Sequence, residues 1–423
     1  MSKSALYTLY ETSPKTQQIV ASLQEKNTVK LHLSGLLGSA VSFVIRSAFK
    51  KAELPFLVIL NNKEEAAYYL NDLEQMIGEQ DVLFYPGSYR RPYQIEEVDN
   101  ANVLLRAEVL NRINSRKKPA VIVSYPEALF EKVVTRRDLD KNTLKVSVGD
   151  KISIDFINEV LFEYEFKRVD FITEPGEFSV RGGIVDVFSF SNDNPYRIEF
   201  FGDEVESIRT FDVATQLSLA QQKKITIIPN VENKVFQENR ESFLDYISEQ
   251  TVLFIQNTED LLAQLDKQFA RAEEAFEKLS KDIKHATPEQ LFLNQKAFIK
   301  RALDFSVVEL SSKAIFKTTK KFEFHIQPQP SFNKQFDLLL NNLSENHFNG
   351  YKNYLFCSNE AQAKRFHDIF ETLDEANSEN IRKQYNTIVL PMYQGFIDEE
   401  NQISQFRGQY ALHNHPPKAW LIL

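Results

Sequence analysis

The chain has 423 residues, more than one hydrophobic core usually organises, so its length points to two to four domains. Hydrophobic residues make up 43% and charged residues 26%, which excludes disordered and fibrous classes. Lys and Arg number 50 against 59 Asp and Glu, a formal charge of -9, so any nucleic-acid contact must come from a local basic patch.

Cys357 is the only cysteine, which excludes an internal disulfide and a cysteine-cluster metal site. The opening stretch MSKSALYTLYETSPKTQQ lacks the apolar core of a signal peptide, and no apolar run is long enough to span a bilayer. The expectation is a cytoplasmic chain without a membrane anchor.

From Val29 to about Val134, short buried-strand runs alternate with helical patterns. Phe56 to Leu60 reads as a strand, Ala66, Leu70, Leu73 and Ile77 recur at helical spacing, and Phe84 with Tyr85 and Val121 to Ser124 read as further strands. Such alternation predicts a parallel sheet flanked by helices. From about Asp150 to Pro229 the pattern changes. One amphipathic helix near Asp155 to Tyr164 is followed by alternating strands broken at Pro175-Gly176, Gly182-Gly183 and Gly202-Asp203, which predicts an antiparallel meander beside a helix.

After Pro229 the strand Val252 to Ile255 and a charged helix from Thr258 to about Ile283 restore the first style, so the meander reads as an insertion. A lysine-bearing linker with Pro328 and Pro330, roughly Phe316 to Ser331, leads into a small α/β unit. Its elements are a helix around Phe336 to Leu343, a strand Tyr354 to Ser358, a helix carrying Ala363, Phe366, Phe370 and Leu373, and a strand Thr387 to Leu390. The fold class expected is multi-domain α/β: a parallel α/β domain in two parts, 1–145 and 231–315, an inserted α+β antiparallel-sheet domain, 146–230, and a small C-terminal α/β domain, 316–404. A divergent tail, 405–423, shows no helical or strand period long enough to pack, so little loss of stability is expected from removing it.

The segment Gly35 to Ser42 sits between a strand and the helical run Phe43 to Phe49, where a phosphate-cradling loop belongs. It keeps Gly35 and Ser42 but has Ala40 for the second glycine and Val41 for the lysine. Val41 supplies no charge to the phosphates, and a Cβ at position 40 obstructs the backbone amides that would close around them. The segment therefore reads as a plain strand-to-helix turn or a degenerate phosphate loop. The seven histidines, at 32, 285, 325, 347, 367, 413 and 415, show no metal-ligand spacing, and neither a nucleophile elbow nor a nucleophilic cysteine motif is present. No catalytic residue and no cofactor is nominated.

The densest signal lies in the meander, in PGEFSVRGGIVDVF from Pro175 to Phe188 and PYRIEFFGDEVESIRTFD from Pro195 to Asp212. Alternation places Tyr196, Ile198 and Phe200 on the core face and Arg197, Glu199 and Phe201 on the outward face. Phe178 and Val180 point inward, leaving Glu177, Ser179 and Arg181 outward on a neighbouring strand. These two runs resemble the domain shared by UvrB and the transcription-repair coupling factor Mfd, the part that contacts UvrA in both families. FYPGSYRRPYQ (84–94), VIVSYPEALFEKV (121–133) and VLPMYQGFIDEE (389–400) also resemble Mfd, and neither the intact phosphate loop of UvrB nor its tyrosine-rich hairpin for damaged DNA is visible.

The resemblance implies a UvrB-like first domain interrupted by a UvrA-binding domain, with Arg181, Arg197 and Phe201 at the positions that hold UvrA. It implies a role in transcription-coupled nucleotide excision repair, where full-length relatives also engage RNA polymerase and double-stranded DNA through segments not found in these 423 residues. The chain is expected to bind protein and turn over nothing, and alanine at any of the three positions to leave the fold intact. Two alternatives stand beside this: a nucleotide-dependent UvrB-like helicase fragment, which needs the lysine that Val41 replaces, and a DNA-binding module using Arg112 to Lys118 and Lys317 to Lys321.

Overall fold

In a computed structural model, the described residues are 3–88, 93, 100–115, 118–190, 192–230, 240–279, 286–333, 335–373 and 378–407. The expected tail beyond Arg407 lies outside them, as do 89–92 and 94 of the run Phe84 to Gln94 and the end of the charged helix beyond Leu279.

The largest sheet has seven strands, in the order Lys320–Glu323, Lys30–Ser34, Ser306–Leu310, Val252–Gln256, Phe56–Ile59, Val121–Ser124, Val82–Phe84. Every pairing in it is parallel. Parallel strands need crossovers that cover both faces, and the composition follows: Phe56–Ile59, Val121–Ser124 and Val82–Phe84 are buried along their whole length. The two central strands come from beyond the meander, so the sheet is completed by chain on both sides of the insertion.

The helix Ala40–Ala52 is almost wholly buried, and the helix Lys63–Ile77 starts on Asn62, whose side chain accepts the N–H of Glu65. Two N-terminal helices, Lys3–Thr12 and Pro14–Leu23, pack on Ala40–Ala52, an addition to the elements expected from the sequence. The boundary between them was legible: Ser13 caps the second helix by accepting the N–H of Thr16, and Pro14 takes its first turn, where the missing N–H costs nothing.

The inserted sheet has six strands, ordered Ser218–Gln221, Glu204–Phe211, Tyr196–Phe201, Ile184–Val187, Glu177–Arg181, Lys167–Arg168. All pairs are antiparallel except the short edge Lys167–Arg168, which runs parallel to Glu177–Arg181. Its inner face buries Phe178, Val185, Ile198 and Ile208, and the helix Ile154–Glu163 buries Ile157 and Leu161 in the same cluster. The chain enters and leaves this domain through a two-stranded neck, Leu144–Ser147 paired antiparallel with Lys224–Ile227.

The third unit is a five-stranded mixed sheet, ordered Ile326–Pro328, Phe396–Asp398, Ile403–Arg407, Lys352–Cys357, Tyr385–Val389. Alternation along Lys352–Cys357 divides its contacts: Leu355 and Cys357 join the helices Phe336–Phe348 and Glu360–Leu373 in a local core, while Tyr354 and Phe356 join the main core of the first unit. Phe43, from the buried helix of the first unit, touches both Phe356 and Phe396 of the third.

Two expectations change here. The stretch read as a linker contains the edge strand Lys320–Glu323 of the large sheet and the edge strand Ile326–Pro328 of the small one. The strand Ile403–Arg407 is buried throughout and paired on both sides, so Gln405, Phe406 and Arg407, placed in the tail by their sequence, belong to the fold. Composition misled in both cases: KKFE and ISQFR are mostly polar or charged, so neither shows the apolar run or alternation that marks a strand.

A candidate partner-binding face and the loop before the buried helix

Residues paired directly across a sheet share a face. The register puts Ser179, Asp186, Arg197 and Arg209 in one row across four strands, on the side away from the core. Arg181, Ile184, Glu199 and Ser207 form the next row, and Phe201 lies beyond it at the hairpin tip. As expected, Tyr196, Ile198 and Phe200 are buried and Phe201 stands out, 81% exposed.

The expected outward set on Glu177–Arg181 is only partly outward. The segment 169–174 folds over that strand: Ser179 donates its hydroxyl to the Asp170 carbonyl at 3.0 Å, and Glu177 accepts the N–H of Thr173 at 2.7 Å. Glu177 and Ser179 are therefore buried, and only Arg181 is exposed. The strand of Arg181 is also not the neighbour of the Phe201 strand, since Ile184–Val187 runs between them.

That intervening strand supplies a residue the sequence reading missed. Asp186 accepts from Arg197 Nε at 2.7 Å and Arg197 Nη2 at 2.8 Å, and also from Arg181 Nη2. Glu199 repeats the pattern one row on, accepting from Arg209 and Ser207. The hydrogen bonds to Asp186 raise the Arg197 pKa above an already high value, so its charge is fixed. Arg197 lies over the Phe211 ring at 4.4 Å, and Arg181 over the Phe171 ring at 5.2 Å. Phe171 is 65% exposed, a second outward aromatic beside the arginines. Phe201 is four residues along the strand from Arg197, roughly 13 Å at strand spacing. The signal for Asp186 was present in the sequence: it is the one carboxylate in Ile184–Val187, on the phase opposite to Val185 and Val187.

The geometry argues against the expectation that alanine spares the fold at Arg197. Its side chain is only 15% exposed and it grips a carboxylate that is itself 1% exposed. Removing it strips a buried charge of its main partner.

The segment Gly35 to Ser42 follows Lys30–Ser34, at the carboxyl end of the sheet where α/β ligands bind. The helix begins at Ala40, earlier than its pattern suggests, and Ala40, Val41 and Ser42 form its buried first turn. The third unit closes over this loop. Tyr393 donates its N–H to Asp72 at 2.7 Å, and Gln394 donates its N–H to Ser39 Oγ at 3.0 Å. Ser39 returns its own N–H to the Gln394 carbonyl at 3.4 Å. Ser39 and Ser42 both donate hydroxyls to Asp72, and the rings of Tyr68 and Tyr393 stack at 3.9 Å. Gly35 has φ +75°, and a Cβ there would sit 1.9 Å from the Phe324 carbonyl oxygen. Burial raises the Asp72 pKa to about 7, against hydrogen bonds from Ser39, the Tyr393 N–H and Ser42 that lower it.

The basic clusters are partly engaged. Arg112 pairs with Glu108, residues 116 and 117 lie outside the described set, and Lys320 pairs with Glu25 at 2.7 Å. Among the described residues, no group of three or more His, Cys, Asp or Glu could hold a metal ion, and no helix is long and apolar enough to cross a membrane.

Residues 144–232, the neck and the six-stranded sheet together, match the UvrB interaction domain family. The chain is 29% identical to the transcription-repair-coupling factor of Bacillus subtilis over 57% of its own length and 20% of that relative. It is 30% identical to the Myxococcus xanthus protein of the same name over 53% of the chain and 19% of the relative. It is 26% identical to UvrABC system protein B of Thermotoga neapolitana over 56% of the chain and 36% of the relative. The match therefore spans well under two thirds of these proteins. A parallel α/β domain interrupted by a match to the UvrB interaction domain defines a UvrB-like architecture. Within that class, the chain resembles the N-terminal UvrB-like region of the transcription-repair coupling factors.

Proposed function

We propose that the chain is a binding module of nucleotide excision repair that recruits UvrA through the outer face of its inserted domain. The observation that carries this reading is a coincidence of position. The stretch matching the UvrB interaction domain contains the sheet whose outer face displays Arg181, Arg197 and Phe201. Exposed aromatics, Phe201 at the hairpin tip and Phe171 against Arg181, on the same face as ordered arginines are the composition from which binding hot spots are made. The runs at 84–94, 121–133 and 389–400 support placing the module in the transcription-coupled branch. RNA polymerase and double-stranded DNA are assigned to no residue of this chain, and a cytoplasmic site of action accompanies the reading. The domain partition proposed keeps 1–145 and 146–230, and moves the two later boundaries from 315 to just after Glu323 and from 404 to Arg407, following the strands Lys320–Glu323 and Ile403–Arg407.

Gly35, Ala40, Val41 and Ser42 are read as a degenerate phosphate loop. The arrangement supports this: Val41 is buried, so its side chain cannot be replaced by a phosphate-facing cation without entering the core, and Ser39 is already bonded to Gln394. Titration calorimetry of the folded chain with purified UvrA tests the reading. A complex weakened about 30-fold by Phe201→Ala is expected. Absence of binding by the folded chain would overturn it.

A further inference from the structure

Arg181 and Arg197 stand on strands that do not touch, and the strand between them carries one carboxylate, Asp186. Asp186 is 1% exposed, yet it points to the outer face, because it is paired in register with Arg197 and Ser179. It takes two nitrogens of Arg197 and one of Arg181, so both guanidiniums are tied to the same group. Nε and Nη1 of Arg181 are not used in this pairing, and that side chain is 40% exposed. The aromatic rings of Phe211 and Phe171 then lie under the two guanidiniums.

A long arginine side chain loses rotamer freedom when it binds, which weakens the contact it makes. A guanidinium already held by a buried carboxylate has lost that freedom on folding. We propose that Asp186 is a positioning residue for partner binding, holding Arg181 and Arg197 as a fixed pair whose free donors meet acceptor groups of UvrA. The inference rests on the reading of this face as the UvrA contact. It also explains why an acidic residue sits at the centre of a face that recruits through arginines: Asp186 leaves the pair with one net positive charge and a set geometry, where two unpaired arginines would repel each other.

The test combines affinity with a signature of arginine order. In nitrogen-15 spectra of the free chain, the Arg197 Nε–H is expected to be visible and slow to exchange. Asp186→Asn should abolish that signal, leave the backbone spectrum of the other strands in place, and weaken binding to purified UvrA about tenfold. Arg197→Lys is the companion variant. It keeps the charge and removes the two-nitrogen grip, so it gives a second reading where the first variant does not fold. The same tenfold loss is expected from it.

Wild-type affinity in either folded variant overturns the inference. Phe201→Ala in the same assay separates the two claims. If it loses binding while Asp186→Asn and Arg197→Lys do not, the face is right and the positioning role is wrong. If all three bind as wild type, both fall.

Discussion

The backbone N–H of Tyr393 reaches the carboxylate of Asp72 at 2.7 Å, joining a loop of the third unit to the helix Lys63–Ile77 of the first. Asp72 is fully buried, and its other partners are the hydroxyls of Ser39 and Ser42, with the charge of Arg407 nearby. Its pKa stands at about 7 against 3.8, so between those values the folded chain binds the proton that the unfolded chain has released. Stability contributed by the protonated group is full below about 4 and is lost as pH rises towards about 7. Urea unfolding of the wild type from pH 4 to 8 should show this decline, and Asp72→Asn should flatten it. Identical slopes in the two proteins would remove Asp72 as the cause.

Gly35→Ala should destabilise the chain by at least about 2 kcal/mol, because left-handed backbone strain adds to a clash with the Phe324 carbonyl. Gly182 is the control. It has φ +59° and open space around it, so Gly182→Ala should cost about 1 kcal/mol. Equal losses in denaturant titrations would show that the Phe324 approach is not a constraint.

Restoring the consensus with Ala40→Gly and Val41→Lys should not create magnesium-ATP binding. Both side chains are buried in the first turn of the helix Ala40–Ala52, so the lysine enters apolar surroundings and lowers stability by several kcal/mol, on the order expected for a buried unpaired cation. Calorimetry giving a micromolar dissociation constant for either the variant or the wild type would contradict the degenerate-loop reading.

Phe201→Ala should change unfolding free energy by no more than about 0.5 kcal/mol, as befits an exposed side chain away from the core. Arg197→Ala should cost about 2 kcal/mol, since it leaves Asp186 buried with only Arg181. Thermal melts that place the two losses on a par would mean that the Asp186 pair contributes nothing to the fold.

Much of this architecture was legible in the sequence because it rests on segments of uniform apolar composition or strict alternation. The short, β-branched apolar runs Phe56–Ile59, Val121–Ser124 and Val252–Gln256 read as buried strands, and the alternation of Tyr196–Phe201 assigned its faces correctly. What escaped depended on neighbours distant in the chain. Nothing local reveals that segment 169–174 buries Glu177 and Ser179, or that Asp186 sits between two arginines, because register alone brings them together. The polar strands Lys320–Glu323 and Ile403–Arg407 likewise owe their order to the sheets that accept them.

The split origin of the seven-stranded sheet sets an order of events during synthesis. Lys30–Ser34 and Phe56–Ile59 are close in the chain but not adjacent in the sheet, since Ser306–Leu310 and Val252–Gln256 lie between them. At about 5 to 20 residues per second, the ribosome takes roughly 10 to 40 seconds to travel from the second of these strands to the first of the missing pair. The inserted meander makes mostly hairpin contacts and is closed by its own neck at Lys224–Ile227, so it is complete before the host sheet has its centre. During that interval both edges of the strand at 30–34 and the inner edge of the strand at 56–59, whose outer edge pairs with Val121–Ser124, await their partners, and the guest domain folds ahead of its host.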